Sequence, residues 1–290
     1  MKTKTVQQVY SPTVPHMVGD GFKVHNFFPG GTRIGAHRMS PFFLMDYGAK
    51  TVFPPSNTPK GVGSHPHRGF ETVTIAYHGR VAHHDSAGNS GIIGEGDVQW
   101  MTAGSGILHK EYHEKEFSRS GGVMQMVQLW VNLPAKHKLT APKYQELTRA
   151  GMGHHALADG GRIEVIAGEY RGVKGPAFTF TPVHLSNAHL KRGGKAEFEF
   201  PASYNTAMLV LEGAITVNGA SKVPENHFAL FANDGEAISV AADQDSIVLV
   251  LSGEPIEEPI ATYGPFVMNT QEEIQQAVED FNSGKFGVLD

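Results

Sequence analysis

Glycine and proline are scattered along the whole chain, and this distribution restricts its fold more than any other feature. The 290 residues include 34 glycines and 17 prolines, spread out rather than collected in one segment. Because both residues interrupt helices, their spread favours short strands joined by tight turns. With 40% apolar and 18% charged residues, the chain has a globular composition and a length that suits one large or two ordinary domains.

Strand-like runs of short, even spacing fill the first half of the chain. Broken apolar pieces within 20–53 predict the first strands, and three prolines with two glycines predict a loop over 54–64. Further strand-like runs follow at 69–77, 80–84, 98–102, 107–112 and 123–133. The same rhythm resumes in the second half, although without visible sequence identity. Such a pattern predicts an all-β fold of the sandwich or barrel type.

The stretch 134–162 differs from both halves, because prolines, glycines and charged residues interrupt the strand pattern there. We therefore predict an N-terminal barrel over 1–135, a crossing segment over 136–162 and a second barrel over 163–290. This division treats the two barrels as consecutive in the sequence.

One helix stands out near the C-terminus, at about 271–282. Thr270 and Glu273 have the spacing of a capping box, and Gly284 is placed to end the helix. Apolar residues recur between them at helical spacing, namely Ile274, Ala277, Val278 and Phe281. Such a stripe predicts packing on a barrel rather than binding of a partner.

Composition and charge exclude several classes of function. The chain has no cysteine, so any metal must be held by imidazole and carboxylate groups, and there are 16 histidines to supply them. The net charge of −5 and the lack of a basic cluster argue against direct binding of nucleic acid. The N-terminus lacks a signal-peptide pattern, and no apolar stretch is long enough to cross a membrane, which predicts a cytoplasmic protein.

The residues most suited to metal binding lie in two short segments. The first contains His65, His67 and Glu71, and the second contains His109 and Glu111. One His-x-His is expected by chance in such a chain, so the first pair alone indicates little. Residues two apart on a strand share a face, however, and two adjacent strands of this kind can direct four or five ligands at one ion. The spacing does not decide which of the two glutamates supplies the oxygen.

The remaining histidines have no comparable arrangement. The pairs 83–84 and 154–155 are adjacent in sequence, so their members point to opposite faces of a strand and cannot chelate together. Either His83 or His84 could still line the mouth of the pocket around the metal. His227 has no His-x-His partner, and we predict that the second barrel is metal-free and structural.

Three segments resemble the pirin family of the cupin superfamily. They are His-Pro-His-Arg-Gly-Phe-Glu-Thr-Val at 65–73, the run from Gly-Asp-Val-Gln-Trp to Ile-Leu-His-Lys-Glu at 96–111, and Tyr-Gly-Pro-Phe-Val-Met-Asn-Thr at 263–270. The resemblance covers most of the chain and is strongest over 20–135. It implies two tandem cupin barrels, which are jelly-roll-like, with a short C-terminal helix.

The resemblance also implies a ligand set and a metal. Transferred by position, the pirin metal site falls on His65, His67, His109 and Glu111. Glu71 then lies outside the ligand set. Neutral imidazoles with a hard carboxylate suit Fe(II), and they tolerate Mn, Co, Ni, Cu or Zn.

The activity implied is that of a quercetin 2,3-dioxygenase, which opens the ring of a flavonol with O2. In this reading Glu111 is both a metal ligand and the catalytic base that takes the 3-hydroxyl proton. The alternative is a metal-dependent regulatory protein that binds a transcription factor or a metabolic enzyme, with ring cleavage incidental. A third reading is a cupin isomerase or a plain binding protein, which would need only a Lewis-acid metal.

Overall fold

The computed structural model describes residues 1–289, which form short antiparallel strands joined by turns. The strands are, in chain order, β1 Val6–Tyr10, β2 His16–Val18, β3 Phe22–Phe28, β4 Phe42–Phe53, β5 Gly61–His67, β6 Phe70–His78, β7 Val81–Asp85, β8 Ser90–Ile93, β9 Val98–Thr102, β10 Ile107–His113, β11 Gly122–Asn132, β12 Lys143–Leu147, β13 Gly153–Ala156, β14 Arg162–Ala167, β15 Glu169–Tyr170, β16 Val173–Lys174, β17 Val183–Leu190, β18 Lys195–Glu199, β19 Asn205–Glu212, β20 Ala214–Val217, β21 Ser221–Pro224, β22 Phe228–Phe231, β23 Ala237–Ala242, β24 Ser246–Gly253, β25 Ala261–Tyr263 and β26 Phe266–Met268. The helices are α1 Lys115–Ser120 and α2 Gln271–Asn282, with single 3₁₀ turns at Ala135–His137 and Arg149–Gly151. None of the helices in this described part is long and apolar enough to span a membrane.

The chain forms two compact units, each assembled from three separate segments. The N-barrel unit contains Val14–Pro29, Phe42–Arg149 and the stretch from Ile256 onwards. The C-barrel unit contains Met1–Thr13, Gly30–Pro41 and Ala150–Pro255.

These bounds differ from the consecutive barrels expected from the sequence, and strand pairing explains the difference. Strand β1 pairs with β22, so the N-terminus belongs to the C-barrel unit. The expected crossing segment is divided, because β12 pairs with β9 of the N-barrel unit and β13 pairs with β14 of the C-barrel unit. Helix α2 packs on β25 and β26 within the N-barrel unit.

Both units contain one seven-stranded and one four-stranded antiparallel sheet. In the N-barrel unit the strand orders are β12-β9-β6-β11-β4-β3-β2 and β5-β10-β7-β8. In the C-barrel unit they are β1-β22-β19-β24-β17-β14-β13 and β18-β23-β20-β21. Each unit thus has the two-sheet form of a cupin barrel, and the predicted all-β class with two tandem barrels is confirmed.

The core of the C-barrel unit is formed by alternate residues of its strands. Ile163 and Val165 of β14 pack in a cluster with buried residues of nine other strands, and Phe198 and Phe231 are among the largest side chains buried there. Period-two alternation places such residues on one face of each sheet, so the space between the sheets is apolar.

Helix α2 has the bounds and caps predicted for it. Thr270 accepts a hydrogen bond from the backbone of Glu273, whose side chain bonds back to the cap, and this closes the capping box. Of the predicted apolar stripe, Ile274 and Ala277 are buried, whereas Phe281 is partly exposed. The predicted loop over 54–64 is wrong at its end, because strand β5 already begins at Gly61.

Candidate metal centre

Strands β5 and β10 lie side by side in the four-stranded sheet and carry the predicted ligands. They pair antiparallel, with His109 opposite His65 and Ile107 opposite His67. The register shifts between His109 and Glu111, which marks an irregularity in the pairing at that point. The two segments singled out in the sequence are therefore direct neighbours in the fold.

Three histidines form a compact triad at this position. One ring nitrogen from each of His65, His67 and His109 lies within 4.8 Å of those of the other two. His67 and His109 are buried, and His65 is half-buried, so the triad is reached from the His65 side. The three nitrogens are therefore close enough together for the group to hold a metal ion.

The hydrogen bonds of these rings leave one nitrogen of each free for a ligand role. His65 donates from Nδ1 to the carbonyl of Gly63 at 2.8 Å, which leaves its Nε2 as a lone pair. His67 Nδ1 and His109 Nε2 are buried and have no hydrogen-bond partner in the protein. Because buried polar atoms are normally paired, these two nitrogens fit the coordination of a cation.

The protonation state of the buried pair suits the same role. Burial, followed by the neighbouring His65, holds the pKa of His67 well below its ordinary value. Burial and the surrounding imidazoles do the same for the pKa of His109. Both rings are thus neutral at physiological pH, as metal ligands must be.

Glu111 belongs to a second triad that shares His109 with the first. One ligand atom from each of His83, His109 and Glu111 lies within 4.8 Å of the others, and all three residues are buried. The structure therefore places Glu111 beside His109, but does not group it with His65 and His67.

Three side chains from the seven-stranded sheet hold the Glu111 carboxylate. Its Oε1 accepts from Thr74 Oγ1 at 3.0 Å and from Gln99 Nε2 at 2.8 Å. Its Oε2 accepts from Gln128 Nε2 at 2.9 Å. A carboxylate has about four acceptor positions, so one position on Oε2 is left for a metal or a proton.

Glu71 lies in neither triad, and its expected position on one strand face with His65 and His67 is wrong. The strand is interrupted at Arg68 and Gly69, where Gly69 has a φ of 88°. Glu71 follows on β6, in the other sheet, where it accepts a hydrogen bond from Thr102 at 2.7 Å. Burial raises its pKa to about 7.

The sequence did not identify His83, Thr74, Gln99 and Gln128 as parts of this centre. As predicted, His83 and His84 point to opposite faces, but His83 lies inside the barrel rather than at its mouth. The sequence offered one indication of His83, because His83 and Asp85 are two residues apart on β7 and therefore share a face of the strand. Nothing in the spacing of the two glutamines could have shown that they meet Glu111.

Aromatic side chains flank the triad on one side. The ring of His67 lies 5.0 Å from that of Phe70 and 5.2 Å from that of Trp130. Phe70 and Trp130 are stacked at 4.3 Å, and Phe43 stacks on Trp130 at 6.2 Å. These rings give the centre an apolar wall.

The segment from Ile256 onwards supports the turn that follows His67. Arg68 forms a buried ion pair of 2.8 Å with Asp280 of α2, and its backbone bonds to Pro265 and Val267. The buried Lys138 ammonium donates to the carbonyls of Gly69 at 2.9 Å and Val267 at 2.7 Å. The predicted C-terminal helix thus helps to hold the turn that follows the candidate ligand His67.

Two barrels with matching pairs of sheets, one containing a cluster of buried histidines, define a double cupin with a candidate metal centre. The family model described as Pirin matches residues 21–131, and the model described as Pirin C-terminal cupin domain matches residues 185–287. The chain belongs to the pirin family, as its motifs predicted.

Curated relatives match the chain over nearly its whole length. A Pseudomonas aeruginosa protein named "Putative quercetin 2,3-dioxygenase" is 49% identical over 284 residues, which cover 98% of this chain and 98% of that protein. Mouse pirin is 37% identical over 256 residues, which cover 86% of this chain and 83% of that protein.

Solved structures show the same fold. A crystal structure of quercetin 2,3-dioxygenase from Acinetobacter baumannii has a TM-score of 0.94 and 46% identity, and the match covers 100% of both chains. A bacterial pirin from Escherichia coli, in complex with nickel(II), has a TM-score of 0.64 and 23% identity, with 86% of this chain and 100% of that chain covered. At that identity the second likeness concerns the fold alone.

Proposed function

We propose that this protein is a mononuclear metal-dependent dioxygenase that opens the ring of a flavonol such as quercetin. The proposed metal is Fe(II), and the proposed ligands are His65, His67, His109 and Glu111. The names of the P. aeruginosa relative and the A. baumannii structure support the activity.

The observation that carries the proposal is the set of unpaired atoms at the centre. Two buried imidazole nitrogens lack any partner, the third imidazole has a free Nε2, and Glu111 retains one acceptor position. Three nitrogens and a carboxylate oxygen leave open positions on a six-coordinate ion, and redox-active iron would supply the chemistry with O2 there.

In this proposal Glu111 orients the substrate and accepts its 3-hydroxyl proton. It is the one carboxylate in the two triads found among the described residues, and it is buried. Since Thr74 and Gln99 occupy Oε1, ligation and proton acceptance both fall on Oε2. Gln128 then has to release Oε2 for the two roles to coexist.

The aromatic wall suits a flat substrate. Phe43, Phe70 and Trp130 present stacked rings beside His67, and apolar surface of this kind excludes water from a pocket. A flavonol could lie against these rings with its 3-hydroxyl at the triad.

The proposal is tested by purifying the protein anaerobically, quantifying bound metal, and following O2 uptake when quercetin is added. We expect about one iron per chain and metal-dependent O2 consumption, with both lost in His67→Ala. Bound iron without O2 uptake would exclude the flavonol activity and favour the regulatory alternative. Turnover that persists with zinc and without O2 would instead favour a Lewis-acid enzyme.

A further inference from the structure

We propose that His83 and Asp85 form a buried positioning pair, which fixes the tautomer and orientation of the metal ligand His109. The inference rests on the proposed metal centre and extends it to two residues of strand β7 that lie outside the ligand set. Their role is to determine how strongly His109 binds the ion.

The three histidines of the triad differ in the group that accepts a hydrogen bond from their second ring nitrogen. His65 donates to a backbone carbonyl at 2.8 Å, and the His67 ring donates to the backbone carbonyl of Pro265. His109 instead has its Nδ1 3.4 Å from Nδ1 of His83. Metal-bound histidines normally donate this second N–H to a carboxylate, a carbonyl or water, so His83 occupies the place of that acceptor.

Gln99 determines which nitrogen of His83 is the acceptor. Its amide oxygen accepts from the Tyr144 hydroxyl at 3.4 Å, so its amide nitrogen faces the other way. That nitrogen donates to Glu111 at 2.8 Å and to His83 Nδ1 at 3.3 Å. Nδ1 of His83 therefore carries a lone pair, and its Nε2 carries the hydrogen.

The Nε2–H of His83 points to Asp85, whose Oδ2 lies 3.3 Å away. The Asp85 carboxylate is held in place by the turn that follows β7, since it accepts from the backbone of Ala87 and Asn89, both at 2.9 Å. Burial opposes ionisation, but the hydrogen bonds from His83 and Asn89 outweigh it and lower the pKa of Asp85. A fixed, ionised carboxylate thus anchors the far end of the pair.

These bonds assign different roles to the two triads that share His109. Both nitrogens of His83 are engaged by protein groups, so His83 is a support and not a fourth imidazole ligand. The Gln99 amide and His109 share the single lone pair of His83 Nδ1, so His109 must carry its hydrogen on Nδ1 and its own lone pair on Nε2. Nε2 of His109 is the atom left buried and unpaired. The chain of bonds from Asp85 through His83 thus directs the His109 lone pair to the metal.

The test uses three variants of the full chain. His83→Phe keeps a ring of similar size against Tyr144 but removes both hydrogen bonds. Asp85→Asn keeps the oxygen that accepts from the turn, while its amide reverses the preferred tautomer of His83. His83→Gln retains an acceptor and a donor and serves as the conservative rescue. His84→Gln and Asp97→Asn are matched controls, because His84 faces away from the interior and Asp97 accepts from turn amides elsewhere.

Two measurements are made on each variant. The dissociation constant for Co(II) is obtained by competition with a chelator, together with the absorption spectrum of the bound ion. The tautomers of the histidines are read in the metal-free protein from ring ¹⁵N chemical shifts. We expect His83→Phe and Asp85→Asn to weaken Co(II) binding by about 10–100-fold and to shift the spectrum, with substantial recovery in His83→Gln. His109 should be the Nδ1–H tautomer in the wild type and a mixture in Asp85→Asn.

The two proposals fail in different ways. If the wild type and His67→Ala bind Co(II) equally, the proposed metal centre is wrong, whereas the tautomer of His109 still reports on the pair. If folded His83→Phe and Asp85→Asn keep both the wild-type Co(II) affinity and the wild-type His109 tautomer, the positioning pair is refuted.

Discussion

The four-stranded sheets of the two barrels have matching strand orders but carry different residues. Strand β10 of the N-barrel unit buries His109 and Glu111, whereas β23, at the matching place in the C-barrel unit, buries Ile238 and Val240. Strand β5 carries His67 where β18 carries Phe198. The seven-stranded sheets show the same contrast between polar and apolar interior residues. In the N-barrel unit β9 contributes Gln99 to the interior, and in the C-barrel unit β22 contributes Ala229 and Phe231.

This difference shows how one scaffold accommodates both an apolar and a polar interior. An apolar interior is stabilised by burial alone, at about 25 cal/mol per Å² of apolar surface, and requires no particular partner for any side chain. A polar interior requires that each buried donor and acceptor be matched. In the N-barrel unit Thr74, Gln99 and Gln128 supply that matching for Glu111. The unmatched nitrogens of the histidine triad depart from this requirement, and the proposed metal would satisfy them.

The largest contrast is expected between His67→Ala and Phe198→Ala. His67→Ala should abolish stoichiometric metal binding and lower the stability of the metal-free protein less than Phe198→Ala does, because the lost ring contacts are partly offset by removal of a buried, unpaired nitrogen. Phe198→Ala should lower the free energy of unfolding by about 3–5 kcal/mol through loss of packing, with metal content per folded chain unchanged. Metal analysis and chemical denaturation measure both effects. Equal loss of stability in the two variants would contradict the distinction between the interiors.

An intermediate effect is expected from Glu111→Gln. The new amide places an NH₂ group among the donors of Thr74, Gln99 and Gln128, so a buried donor loses its acceptor. We expect a loss of about 1–3 kcal/mol in the free energy of unfolding, together with weaker metal binding and loss of O2 uptake.

The matched control for Glu111→Gln is Glu164→Gln in the C-barrel unit. Glu164 is also buried and accepts from Asn187 at 3.2 Å, but it has no place in the metal centre. This variant should lose stability and keep metal affinity. Retained O2 uptake in Glu111→Gln would exclude Glu111 as the proton acceptor.

The sequence identified the two strands that carry the candidate ligands, β5 and β10, because the evidence for them is local. His65 with His67, and His109 with Glu111, are two residues apart, and a strand places such pairs on one face. The supporting residues could not be predicted in this way. Gln99 and Gln128 reach Glu111 across the barrel from the other sheet, so their contact depends on how the sheets face each other.

The failures of prediction have physical causes of the same kind. Gly69 turns the chain between His67 and Glu71, and one residue with positive φ is enough to move Glu71 to the other sheet. The division into units depends on the pairing of β1 with β22, which joins residues at opposite ends of the sequence. Long-range pairing of this kind leaves no periodic signal in either strand.

The effect expected to disturb the candidate metal centre least concerns pH and two buried carboxylates, one in each barrel. Burial raises the pKa of Glu71 to about 7, from 4.5 when exposed. Burial also acts on Glu164, but His189, Asn187 and Arg162 outweigh it and lower the pKa of Glu164. The two groups should therefore affect stability over different ranges of pH and with opposite signs.

The sign for Glu71 follows from its proton. Between pH 4.5 and 7 the folded state retains a proton that the unfolded state releases, so the stabilising contribution of Glu71 is complete below pH 4.5 and is lost as pH rises through 7. As the pH rises from 5 to 8, the free energy of unfolding of Glu71→Gln should increase by about 2–3 kcal/mol relative to that of the wild type. The same difference for Glu164→Gln should be flat over that range. The difference in the free energy of unfolding should change in favour of Glu164→Gln only below the ordinary glutamate pKa, because the wild type then loses its ionised carboxylate. Parallel pH profiles for the two variants, measured on metal-free protein by chemical denaturation, would show that the two interiors treat a buried charge alike.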